Sequence, residues 1–377
     1  MAHTIEIKEC IPDDYSWYNI KRFKIGNNRI ERPLKVLDIK NMTLRDYTNC
    51  VKNTHDFDFY EFSKTITSYD SITNVMNYDD DGTINDYFGR KSWLDNKNQL
   101  VNFTFNFNPY DFIGNIEEEM GSFYDYYYQY SSPLLFVPNI RKNKTMGNTK
   151  ADIISVEQYI DFVDQSYEYL DHKNKKVIFV PISLKFNVKD MKSLAQHYMD
   201  KDNRKYYFWI DFEGKAITKA NMGKIRCFYR EIERIDNRDK EKEVFNNTIF
   251  YHTNINRETM SNSKMEEAPA SDILSSTAGA TFIGVNRKPM SNFDPPQGYQ
   301  QDYKHKYRLF DKDTYYYDYN SSGLFFSKGL NNGHNAIELD KEFASQSEHF
   351  LDELQIKSYL SEKKMIEEKN CISVIKR

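Results

Sequence analysis

Cysteine is scarce in this 377-residue chain and never clustered: Cys10, Cys50, Cys227 and Cys371 stand far apart, with no CxxC pair and no Cys/His spacing suited to a metal. Neither a zinc signature nor a disulfide framework organises the chain, and the thiols fit a reducing compartment. Long apolar runs are missing too, since no stretch approaches the ~18 uninterrupted apolar residues of a membrane helix. The opening residues, MAHTIEIKECIPDD, carry neither the basic nor the apolar segment of a secretion signal. The expectation is a cytoplasmic protein with no membrane partner, in which the sequon at Asn102 has no meaning. Charge of one sign is absent as well: Lys+Arg number 52 against Asp+Glu 56, a formal net charge of -4. That balance excludes a basic tail and an acidic disordered chain, so charge gives no indication of a nucleic-acid partner. Aromatic residues are plentiful, with 29 Tyr and 26 Phe, and hydrophobic residues make up 39% of the chain, ample for a real core.

From residue 133 onward, short apolar runs alternate with segments of helical period, the pattern of βα units. The runs at Leu134 to Asn139, Lys176 to Ser183, Tyr206 to Asp211, Thr248 to Asn254 and Ala280 to Asn286 predict strands. Ser155 to Asp171, Asn187 to Asp200, Lys219 to Ile235 and a short turn at Ser271 to Ser275 predict the helices between them. Upstream, Leu34 to Lys40 and Val101 to Phe107 read as two further strands, the first followed by a helix from Thr43 to Val51. Gly323 to Ser327 and Thr4 to Lys8 compete as an eighth. About eight parallel units in ~300 residues give an α/β fold, a (β/α)8 TIM-like barrel. The doubly wound alternative lacks GxGxxG or GxxxxGK[ST] after any strand. The barrel domain is expected over residues 1–330, with an irregular insertion at about 55–98 and a lid at 288–319. Residues 331–377 are expected as a C-terminal helical extension outside it.

Successive strand residues face opposite sides, and the side facing the helices must be apolar. Phe208, Ile210 and Phe212 form one set, which leaves Tyr207, Trp209, Asp211 and Glu213 facing inward. The same reasoning turns inward Asp38 and Lys40, Asn139 and Arg141, Ser183 and Lys185, Phe250, His252 and Asn254, and Asn286. Each set becomes polar toward the C-terminal end of its strand, where barrel enzymes build their sites. Asp211, Glu213 and His252 are the candidate catalytic residues, and Asp38, Lys40, Asn139, Arg141, Ser183, Lys185, Asn254 and Asn286 the candidate substrate-binding ones. Lys40, Arg141 and Lys185 suit a phosphate or carboxylate substrate, or neutralise the carboxylates.

The segment Trp209-Ile-Asp-Phe-Glu-Gly projects two carboxylates from one strand end, so their repulsion can raise one pKa and leave a general acid beside an anion. It resembles the strand-end D-x-E of chitinase-like and lysozyme-like barrel glycosidases, although Tyr206 and Trp209 stand where chitinase-like motifs carry further aspartates. The run from Ala268-Pro-Ala-Ser-Asp to Gly279-Ala-Thr-Phe-Ile-Gly-Val-Asn, with Arg308-Leu-Phe-Asp, is similar to tRNA-guanine transglycosylase-like barrels. That resemblance implies base exchange at an N-glycosidic bond by an aspartate nucleophile, here without the clustered cysteines of the zinc site.

These features give an enzyme of glycosidic-bond hydrolysis or transfer, a hydrolase or transferase, with Asp211 as nucleophile or electrostatic stabiliser, Glu213 as acid/base and His252 assisting. Its substrate would be a small molecule, sugar or nucleoside. The cofactor is open: Asp38, Asp211, Glu213 and His252 would suit a divalent cation such as Mg²⁺ or Mn²⁺ in a lyase or isomerase. A non-catalytic barrel serving as a binding module is the contrary reading, and oligomeric state is not encoded in these patterns.

Overall fold

The alternation of inward and outward residues along short β-branched and aromatic runs closes into a ring. The computed structural model describes residues 5–77, 80–107, 116–141, 154–173, 176–200, 204–239, 244–257, 267–287, 307–319 and 327–377. The ring strands are β1 (Leu34–Lys35 continued by Leu37–Asp38), β2 (Phe59–Ile66), β3 (Asn98–Phe105), β4 (Leu134–Phe136 continued by Asn139–Ile140), β5 (Val177–Ser183), β6 (Tyr207–Asp211), β7 (Ile249–Thr253) and β8 (Phe282–Ile283). Each pairs in parallel with the next: Leu37 with Tyr60, Phe59 with Asn98, Thr104 with Asn139, Leu134 with Val177, Val180 with Phe208, Tyr207 with Ile249, and Tyr251 with Phe282. Phe282 also pairs with Leu34, so β8 returns to β1. The fold is the α/β class expected, a (β/α)8 TIM-like barrel.

The eighth strand is not where the sequence put it. It is β2, inside the 55–98 stretch expected as an irregular insertion. Its FYEFSKTI pattern hides it because Glu61 and Ser63 on its inner side are polar and buried. Ile5 to Lys8 carries no regular element, and residues 320–326 lie outside the described residues.

Helices begin where the sequence supplies caps. Thr43 and Ser155 close capping boxes with Asp46 and Gln158, and the Asn187 side chain accepts from the N–H groups of Lys189 and Asp190. The helices Val156–Asp171, Val188–Tyr198 and Lys219–Asp239 pack Phe162, Leu194 and Tyr229 in one cluster with Val180, Phe208 and Phe250 of the strands. Each such side chain withdrawn from water contributes roughly 1.5–3 kcal/mol.

Inside the ring, Leu34, Phe59, Leu100, Leu134, Val177 and Phe282 form an apolar plug with Phe179, Trp209 and Tyr251. An antiparallel sheet of Glu9–Pro12, Asn19–Ile25 and Asn28–Ile30 adds Phe23, Ile25 and Ile30 at the end where the strands begin. Above the plug lie buried Glu61, Asn102, Thr104, Asp211 and Thr253. The buried polar groups therefore gather toward the C-terminal end of the strands.

The helix Lys328–Glu353 starts before the expected boundary at 331 and lies against β1. Its Asp340 accepts from the Lys35 N–H at 2.8 Å, from both terminal nitrogens of Arg32 at 3.1 and 2.7 Å, and pairs with His55 Nε2 at 3.0 Å. Burial would raise this carboxyl, but His55, Arg32 and the Lys35 N–H hold it down to about 2. The last residues also fold back, the Arg377 N–H donating to Tyr15 O at 2.9 Å. Residues 288–306 of the expected lid lie outside the described residues. Its remainder forms a hairpin, Arg308–Asp311 with Tyr316–Tyr319, that continues into Glu267–Pro269.

Candidate functional site

Asp211 ends β6 with no exposed surface. Its Oδ2 accepts from Thr104 Oγ1 (2.7 Å) and Asn139 Nδ2 (3.3 Å), and its Oδ1 from Asn254 Nδ2 (3.0 Å) and the Glu213 N–H (2.8 Å). Arg141 Nη2 stands 3.7 Å from Oδ2. The two amides are themselves oriented: Tyr159 donates to Asn139 Oδ1 at 2.9 Å and Ser63 to Asn254 Oδ1 at 3.0 Å. With their carbonyl ends occupied, both turn their amino groups to Asp211.

The chain leaves β6 through Phe212, whose ring lies 5.3 Å from that of His252, and then turns through two left-handed residues, Glu213 (φ 54°) and Gly214 (φ 78°). Glycine adopts this conformation freely, whereas for glutamate it costs on the order of 1 kcal/mol. The turn leaves the Glu213 side chain 3% exposed, with Oε2 3.2 Å from Lys185 Nζ and 4.0 Å from Lys215 Nζ. Oε1 is buried and has no hydrogen-bond partner among the described residues. Burial, and next the charge of Asp211, raise this carboxyl above the ordinary glutamate range against the pull of Lys185, Arg141 and Lys215.

A second buried carboxylate escaped the sequence reading. Glu61 on β2 accepts from Asn102 Nδ2, Tyr251 OH (2.5 Å), Thr253 Oγ1 (2.6 Å) and the Val285 N–H (2.9 Å). It lies against Gly284, where an added Cβ would overlap Glu61 Oε2. Burial raises its carboxyl, opposed by the hydrogen bonds of Thr253, Tyr251 and Asn102 and by the charge of Lys35. The alternation Phe59, Glu61, Ser63 was the available signal, but it is half polar and lies in a segment that reads as loop.

His252 was assigned to the wrong side of its strand. Tyr251 and Thr253 face the barrel, reaching Glu61, while His252 faces the helix Lys219–Asp239 and pairs with Tyr229 OH at 3.3 Å. Burial lowers its pKa to about 3, so it remains neutral. The alternation misleads because the polar His252 faces the helices while the aromatic Tyr251 faces the barrel. Asn254 nevertheless reaches Asp211, by a left-handed turn (φ 54°) after Thr253.

The remaining candidates divide. Asn139, Arg141, Asn254, Glu213 and Lys185 gather around Asp211, directly or through Glu213. Lys40 Nζ donates to Ser63 O at 3.2 Å. Asp38 accepts from the Lys40 N–H and from Asn332 of the helix Lys328–Glu353, tying β1 to that helix, and Ser183 Oγ accepts from the Lys185 N–H at 3.4 Å in a local turn. Asn286 belongs to a separate cluster, donating at 2.8 Å to Asp272, which also accepts from Tyr317 OH. Among the described residues no group of three His, Cys, Asp or Glu is placed to hold a metal, so the divalent-cation set of Asp38, Asp211, Glu213 and His252 is not assembled. Nor is any helix among them long and apolar enough to cross a membrane.

No family model matches the sequence, and no curated protein does. Among solved structures the chain is similar to a modular endo-β-1,4-mannanase from Cellulomonas fimi and to its double mutant, each at 10% identity over 71% of this chain and 68% of that one, with a TM-score of 0.42. An overlap this loose identifies neither a family nor a chemistry.

Proposed function

We propose that the barrel mouth cleaves or transfers at a glycosidic bond, with Glu213 as general acid and base and Asp211 as a fixed acceptor that shapes its field. The observation carrying this reading is the Glu213 carboxyl: buried, raised in pKa, and with Oε1 left without a partner among the described residues. A carboxyl whose pKa is raised holds its proton to higher pH than an ordinary glutamate, which suits it to donate to a leaving-group oxygen and afterwards recover the proton from water or an acceptor hydroxyl. The left-handed backbone at Glu213 fits this role, since such outliers gather at functional positions.

Asp211 suits a supporting role better than that of nucleophile. Both oxygens already accept two hydrogen bonds each, and attack on an anomeric carbon would forfeit some of them. Asn139 and Asn254 then orient Asp211, and the substrate meets Glu213 and the surrounding cations. The proposal is tested by incubating the protein with a panel of O- and N-glycosides and following products by mass spectrometry. An active substrate should be turned over about 10²–10⁴-fold more slowly by Glu213→Gln, the usual cost of losing a general acid/base. Equal turnover by the folded variant would remove Glu213 from the chemistry.

A further inference from the structure

Among the described residues, Arg141 at the barrel mouth is short of hydrogen-bond acceptors. Arg141 follows β4 and is 8% exposed, and its Nε and Nη2 are closed to solvent with no hydrogen-bond partner among the described residues. Asp211 does not satisfy it, standing 3.7 Å away with its oxygens already engaged by Thr104, Asn139, Asn254 and the Glu213 N–H. Buried guanidinium nitrogens left without acceptors are unfavourable, and the ion pair with Asp211 supplies attraction but no hydrogen bond.

A second arginine shares the field. Arg287 follows β8, its Nη1 donating to Thr65 Oγ1 at 2.7 Å. Burial, and next the charge of Arg141, push its pKa down, while Asp211 and Glu213 oppose them. Lys185 and Lys215 lie on Glu213. These cations outnumber the two carboxylates they surround, in a chain whose net charge is -4. Like charges gathered and half desolvated are the arrangement of a site completed by an anion, and planar guanidinium forks match the oxygens of phosphate and carboxylate.

We infer that the mouth contains an oxyanion subsite, in which Arg141 and Arg287 bind a phosphate or carboxylate group carried by the substrate. Its position beside the reacting bond rests on the glycosidic reading above; the binding itself does not.

Calorimetric titration of the full chain with glucose 6-phosphate, glucuronate, inorganic phosphate and glucose tests it. Glucose 6-phosphate or glucuronate should bind and glucose should not, and inorganic phosphate should compete if the group is a phosphate. Arg141→Gln and Arg287→Gln should each weaken binding at least about tenfold, the scale of a lost charge-assisted hydrogen bond. Arg29→Gln, an exposed arginine of the N-terminal sheet, should keep the binding. Arg287→Gln keeps the test decisive if Arg141→Gln melts early. No binding of either sugar anion to the folded protein, equal binding of glucose, or unchanged binding in Arg287→Gln would overturn the subsite. Inactivity of the protein toward glycosides would leave these titrations standing.

Discussion

The backbone N–H of Glu213 donates to Asp211 Oδ1 at 2.8 Å, so the chain segment that presents one carboxyl also holds the other. The two carboxyls of the D-x-E segment thereby differ in kind. Asp211 is enclosed by donors, whereas Glu213 meets lysines on one oxygen and no hydrogen-bond partner among the described residues on the other.

Replacing Asp211 by Asn should destabilise the protein by about 3 kcal/mol, because an amide nitrogen would face donors that now point at a carboxylate oxygen and leave buried groups unpaired. Thermal melting and urea titration read this directly. A variant as stable as wild type would mean that the donors around Asp211 repack without cost.

Glu213→Gln should behave oppositely. The folded carboxyl is raised above its unfolded value, so ionising it costs stability as pH rises through the folded pKa, and below the unfolded value near 4.5 that cost is absent. The variant should equal wild type in acid and match or exceed it near neutrality. A marked loss at neutral pH would make the Lys185 and Lys215 contacts structural ion pairs instead.

Asp340 predicts the opposite pH dependence. Its carboxyl, held down to about 2, gives stability that is complete above its ordinary value and lost as pH falls toward 2, about 2 kcal/mol in all. Acid melting of Asp340→Asn should lack this component. Parallel acid profiles for wild type and variant would contradict the pairing with Arg32 and His55.

His252→Gln should leave turnover within about twofold while lowering the melting temperature, since among the described residues the ring meets Tyr229 and Phe212 on the outer side of the strand. Loss of turnover by orders of magnitude in a folded variant would return His252 to the chemistry.

The barrel was legible because most strands carry apolar residues in a clean period and the helices between them open with recognisable caps. Asp211 and Glu213 stood out for the same reason, as the polar end of a strand whose outer side is Phe208 and Ile210. β2 is hidden where buried polar residues break the pattern: Glu61 and Ser63 occupy inward positions that would be apolar in a strand serving packing alone. The side of β7 was misread because His252 is polar and outward while Tyr251 is aromatic and inward, the reverse of the usual contrast. Sequence alternation also does not reveal a left-handed turn, and both Glu213 and Asn254 reach the site through one.

The central claim, that burial and the neighbouring Asp211 raise the Glu213 carboxyl above the ordinary range for proton transfer, is tested most directly by titrating its side-chain carboxyl by NMR in protein labelled with ¹³C-glutamate, from about pH 3 to pH 8, with Glu213→Gln identifying the resonance. The account predicts a midpoint clearly above the ordinary glutamate value of 4.5, moving higher still when Lys185 is replaced by Met. A midpoint at or below the ordinary value would contradict it.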